Sequence, residues 1–122
     1  MTGNEILRQA MTLLNYTDTD GAITADADLQ KRALPLINQI YSDLWYIRTS
    51  STFRPLTRLA DAIDLDHFVL RNVMPYGVAM LIAQTDGDID NQTMYASLYN
   101  QRRSSVRSCS DRMIDCQPKV LF

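Results

Sequence analysis

PYGVAMLIAQTDGDIDNQTMYASLYNQRR, residues Pro75 to Arg103, decides the fold. Its first half is apolar and ends at Asp86-Gly87-Asp88. Gly takes positive φ at no steric cost, and Asp accepts hydrogen bonds from the free amides at a helix start. The stretch therefore reads as two helices joined at that turn. The first extends back to about His67 and ends near Thr85. Val69, Val73, Tyr76, Met80 and Ala83 make one row on it, and Leu70, Met74, Gly77 and Leu81 the adjacent row. Such a wide apolar face suits a central helix. Pro75 should bend it, and Gly77 and Ala79 should let a neighbour approach closely. The second helix runs from about Ile89 to Ser108. Ile89, Gln92, Tyr95, Tyr99, Arg102 and Val106 share a face that turns polar.

Two more helices precede these. Ile6, Leu7, Ala10, Leu13 and Leu14 recur at helical spacing between about Gly3 and Tyr16, with Thr2 or Asn4 as cap. Leu29, Ala33, Leu36, Ile37, Ile40, Tyr41, Leu44 and Trp45 keep the period from about Asp26 to Ile47. Pro35 should kink or break that helix. Between them, Asp18-Thr19-Asp20-Gly21 matches the middle of a calcium loop. Tyr16 and Ala27 then fall where oxygen ligands are required, so a turn and cap is the better reading. Residues 48–66 have no clean helical period. Phe53-Arg54-Pro55-Leu56-Thr57-Arg58-Leu59 alternates loosely, and Asp64 or Asp66 is the expected cap of the next helix. A connection this long in a small domain is often a binding element.

The expectation is an all-α domain over residues 1–108, a bundle of about four helices with a long irregular connection before the third. An extended tail, residues 109–122, follows. Its apolar end, Val120-Leu121-Phe122, either folds back on the core or docks on another chain. Trp45 and Tyr46 read as core or subunit contact.

The 122 residues are 46% hydrophobic and 21% charged, an ordinary globular balance for one domain. Residues 1–66 carry six basic and nine acidic groups, and residues 67–122 six basic and five acidic, which gives −3 and +1. That is far from a basic nucleic-acid-binding domain. No secretory leader is expected from the polar start, and no apolar run is long enough for a membrane span. Cys109 and Cys116 are expected to be reduced thiols of an intracellular chain.

Catalytic, metal and cofactor residues are not expected. His67 is the one histidine, with no partner at metal-ligand spacing. Asp86, Asp88 and Asp90 read as helix caps, and the four glycines stand too far apart for a phosphate loop. Arg102, Arg103, Arg107 and Arg112 either mark a solvated helix end or contact phosphate.

The order of parts resembles the head-to-tail connector (adaptor, or head-completion) proteins of long-tailed bacteriophages. The residues that carry the likeness are Ala33–Leu44 (ALPLINQIYSDL), Leu59–Leu65 (LADAIDL), Val73–Ala83 (VMPYGVAMLIA), the Asp86-Gly87-Asp88 turn and Tyr95–Arg103 (YASLYNQRR). They span about residues 27–108. The opening helix and the tail have no close counterpart. The resemblance implies a helical virion protein of the neck, made in the host cytoplasm. It would dock as a ring, commonly twelvefold, beneath the portal protein. The ring would extend a channel through which viral DNA passes without sequence-specific binding, and offer a platform to the next connector (stopper) or tail protein. A C-terminal segment of such proteins often inserts into the portal, which would place Gln117, Pro118, Lys119, Val120, Leu121 and Phe122 there. Trp45, Tyr46, Phe53, Arg54, Arg58, Arg102, Arg103 and Arg107 are the expected subunit or partner contacts. The alternative is a small phage-encoded regulator that contacts nucleic acid through its C-terminal arginines.

Overall fold

The computed structural model describes residues 1–15, 27–48 and 51–111. They form five helices: α1 (Gly3–Leu13), α2 (Ala27–Arg48), α3 (His67–Asn72), α4 (Met74–Thr85) and α5 (Ile89–Asp111). The fold is all-α, as expected. Among the described residues the only β pairing is an isolated bridge between Thr2 and Ala62. No helix among them is long and apolar enough to cross a membrane.

Helix α4 is the hub. It packs on α1, α2, α3 and α5, most extensively on α5. Met74, Pro75, Gly77, Val78, Ala79, Leu81, Ile82 and Ala83 are buried on it, so it is apolar nearly all round. Helix α5 approaches where the side chain is smallest. A Cβ at Gly77 would lie 2.7 Å from Tyr99 Cε1 and 3.0 Å from Ile40 Cδ1, so α2, α4 and α5 converge on that glycine.

Four expectations need correction. The third helix is broken, not bent: Val73 (φ −122°, ψ −54°) separates α3 from α4. Pro75 has no N–H to return to Arg71, and it also disfavours helical backbone at Met74. Arg102 of α5 takes up one carbonyl freed there, donating from a guanidinium nitrogen to Asn72 O at 3.0 Å. Pro35, by contrast, neither breaks nor divides α2. Lys31, whose carbonyl loses its partner, and Pro35 are both exposed, so water can satisfy the orphan. Helix α1 ends at Leu13, short of Tyr16, because Asn15 turns left-handed (φ 63°), a conformation Asn tolerates better than most residues. Helix α5 runs on to Asp111, three residues into the expected tail.

The caps follow the sequence closely. Thr2 and Glu5 form a reciprocal capping box on α1. Gly87 (φ 75°) makes the turn, and Asp88 Oδ1 accepts from Asn91 N at 3.2 Å at the start of α5. Asp66 holds the cap position of α3, without a side-chain hydrogen bond to the helix.

Candidate functional site

Two surface features stand out, and α2 builds both. The first is the connection after α2. Its residues 51–66 have no regular secondary structure, yet their backbone is pinned throughout. Asn38 accepts from Leu56 N at 2.7 Å and donates to Leu56 O at 3.0 Å. Tyr41 Oη accepts from Asp64 N at 3.0 Å. Trp45 Nε1 donates to Ser51 O at 2.9 Å, and Tyr46 Oη accepts from Phe53 N at 3.3 Å. Asn38, Tyr41 and Trp45 follow one another at i, i+3 and i+7, so they share one face of α2. Phe53 closes an aromatic cluster, 4.9 Å from Tyr41 and edge-on to it, with Trp45 and Tyr46 at 6.4 and 6.2 Å.

Further along, the Asp61 carboxylate accepts from Thr57 Oγ1, Thr57 N and Arg58 N and closes a tight turn. The Thr57 hydroxyl leads the bonds that hold this carboxyl below its usual value. The N-terminus completes the mooring: Ile63 N donates to Met1 O, Gly3 N to Asp61 O and Asn4 N to Leu59 O. Leu56 and Ile63 point into the core, while Arg54, Pro55 and Arg58 are exposed. The result is a fixed loop with a basic, proline-bearing edge.

The second feature is an open groove of about 770 Å³ between α2, α4 and α5. Ile40, Ile47, Met80 and Leu81 give it apolar surface. At one side Asp43 receives Tyr99 Oη and Arg103 Nε, both at 2.6 Å on Oδ2, and a second Arg103 nitrogen at 2.8 Å on Oδ1. Burial works to raise the Asp43 carboxyl. The hydrogen bonds from Arg103 and Tyr99 and the Arg103 charge outweigh it, so the carboxyl sits below its usual value. Burial and the bond to Asp43 push the Tyr99 phenol well above its own. Near neutral pH the trio is therefore carboxylate, phenol and guanidinium, a fixed tie between α2 and α5. Tyr46 joins the two features: its ring lines the groove and its hydroxyl holds the loop.

No protein family, curated protein or solved structure matches this chain.

The structure brings together Trp45, Tyr46, Phe53 and Arg54, all expected contact residues. Trp45 and Phe53 are partly buried, Tyr46 is 56% exposed, and Arg54 is exposed. Arg58 stands one turn further along the loop, its side chain 77% exposed. The expected arginine cluster is turned inward where it is described. Arg102 stacks 4.2 Å above the Tyr76 ring, and Arg103 is the bidentate partner of Asp43. Arg107 belongs to α5, with its side chain outside the described residues. Gln117 to Phe122, Arg112, Cys116 and the Asp18–Gly21 turn also lie outside them. His67 is exposed at the start of α3, and no cluster of three or more His, Cys, Asp or Glu able to hold a metal ion occurs among the described residues. The residues that sequence reasoning missed as a group are Asn38, Asp43 and Tyr99. For Asn38 the available sign was its i, i+3, i+7 spacing with Tyr41 and Trp45; local spacing carries no sign of the Asp43–Tyr99 pair, whose members stand 56 positions apart.

Proposed function

We propose that this chain is a structural subunit that works through its surfaces, a head-to-tail connector of a long-tailed bacteriophage. The observation that carries the reading is the loop of residues 51–66. A segment without helix or strand is held in one shape by four α2 side chains and by the N-terminus, and it presents Arg54, Pro55 and Arg58 outward. Preformed loops lose less entropy on docking than loose ones. The loop also contains Leu59-Ala60-Asp61-Ala62-Ile63-Asp64-Leu65, part of the resemblance. In this reading the ring stacks under the portal protein, passes DNA through its centre and receives the next connector or tail protein. The segment Gln117–Phe122 is its portal anchor.

Electron microscopy of the purified protein, alone and mixed with portal, tests it. Rings, or rings formed on portal, are the expected result. A protein that stays monomeric at high concentration with portal present overturns the reading. The competing role, duplex contact through the C-terminal arginines, is disfavoured because Arg102 and Arg103 already have partners within the fold. Salt-sensitive duplex binding abolished by Arg102→Ala with Arg103→Ala would favour it instead.

A further inference from the structure

The turn between α4 and α5 contains a chemically reactive bond. Helix α4 ends in a Schellman turn, with Gly87 N donating to Gln84 O at 3.3 Å and Asp88 N to Ala83 O at 2.9 Å. Such a turn needs a residue at positive φ, and Gly87 (φ 75°) supplies it. The residue before it is Asp86, so an Asp-Gly bond joins the two most extensively packed helices. In such bonds no side chain shields the glycine nitrogen, which can attack the aspartyl Cγ. An N–C bond forms, and the carboxyl hydroxyl leaves with the amide proton as water. Water then opens the five-membered imide at either carbonyl. One opening restores Asp; the other gives isoaspartate, whose main chain runs through the side-chain carboxyl and is one carbon longer. The space beside Gly87 offers no shield either, since a Cβ there would meet nothing within 4 Å.

The fold keeps the reacting groups apart. Asp86 has helical backbone (φ −90°, ψ −3°) and must rotate about its Cα–C bond before its carboxyl can reach Gly87 N. Its carboxylate is drawn to α2 instead. Arg32 Nη1 donates to Asp86 Oδ1 at 3.1 Å and to Thr85 Oγ1 at 2.7 Å, so one nitrogen holds both the end of α4 and the reactive group. The pair is about one-third exposed, at 33% and 30%, so water for the second step is at hand. We infer that Asp86–Gly87 is a latent isomerisation site and that Arg32 is its latch. Helix ends open locally far more readily than whole domains, and Arg32 ties this one to a neighbouring helix. Isoaspartate at position 86 would carry Gly87 and Asp88 one carbon further on, away from Gln84 O and Ala83 O. The hub helix and α5 would then be joined by a turn of the wrong length, with the Asp88 cap displaced. The inference is independent of the connector reading. The chain's other Asp-Gly bond, Asp20-Gly21, lies outside the described residues.

The experiment ages the purified full chain in warm neutral buffer over several weeks. Enzymatic methyl transfer to the isoaspartyl carboxyl counts the product, and peptide mass spectrometry separates residue 86 from residue 20. In the folded wild type, residue 86 should isomerise at a small fraction of its rate in the urea-unfolded chain. Arg32→Ala, still folded, should raise the folded rate about two- to fivefold, the factor that a part-exposed ion pair carries. Arg32→Lys should stay near the wild type, because a single nitrogen makes both bonds. Gly77→Ala, which strains the core without touching Arg32, should leave the rate unchanged. Circular dichroism checks that helicity is kept, and Arg32→Gln replaces the alanine variant if it is not. A folded Arg32 variant that isomerises at the wild-type rate overturns the inference. Wild-type protein that reacts as fast folded as unfolded overturns it too. Equal acceleration in Gly77→Ala and Arg32→Ala would do the same, since global opening would then set the rate.

Discussion

Gly77 shows how much depends on one missing methyl group. It is buried where Ile40 of α2 and Tyr99 of α5 press on α4. Tyr99 cannot step aside easily, because its hydroxyl is held by Asp43 on the far wall of the groove. Gly77→Ala would normally favour a helix by about 1 kcal/mol. Here the added Cβ would meet ring carbons at 2.7 and 2.9 Å, and overpacking of this kind costs about 1–3 kcal/mol. The expected outcome is a net loss of stability, read as a lower urea midpoint with an unchanged slope. A midpoint at or above the wild type would show that Tyr99 can yield. The sequence suggested that Gly77 lets a helix approach; which residue fills the space was not legible, since Tyr99 lies 22 positions away on another helix.

At the scale of elements, helices were legible and their interruptions were not. Ile6, Ala10 and Leu14, or Ala33, Ile37 and Leu44, announce buried faces through a period that needs no tertiary knowledge. The two prolines behave differently for a reason local sequence does not contain. Pro35 faces water, while Pro75 is buried and sits behind a break that Arg102 patches. The loop was legible only as an absence of period. Its shape is set by side chains of α2, and no rule of local spacing pairs Asn38 with Leu56. Asn38→Ala removes both bonds to Leu56 and should cost about 1–3 kcal/mol. Amide hydrogen exchange distinguishes where the effect falls. Amides of Leu56 and Asp64 should exchange much faster, while those of α4 keep their protection. Uniform acceleration across both would mean that the loop and bundle open as one unit.

For the molecule as a whole, Asp43 ties the two longest helices together across the groove, so acid should loosen the bundle there. The sign follows from linkage. The folded carboxyl is held below its ordinary value of 3.8. Its contribution is therefore fully present above the unfolded value and is lost as pH falls through the folded one. Its side chain is 36% exposed, which limits the effect. Asp43→Asn should cost about 1–2 kcal/mol near neutral pH. The gap between variant and wild type should be constant above about pH 5 and shrink below about pH 4. Urea titrations at several pH values measure it. A gap that persists unchanged in acid would show that shape, not charge, makes the tie. The half-buried Asp61 carboxyl, also held low, pulls in the same direction at the loop.

The clasp between the N-terminus and the loop has a consequence in time. The backbone of Met1, Gly3 and Asn4 bonds to Ile63, Asp61 and Leu59, so the start of the chain is completed by its middle. On a ribosome adding about 5–20 residues per second, the first turn would wait several seconds for those partners to be made. Closing so long a span is entropically slow, and little local pairing can stand in for it. The mooring of the loop should thus be a late event in folding, set after α2 has formed and before the contact surface exists.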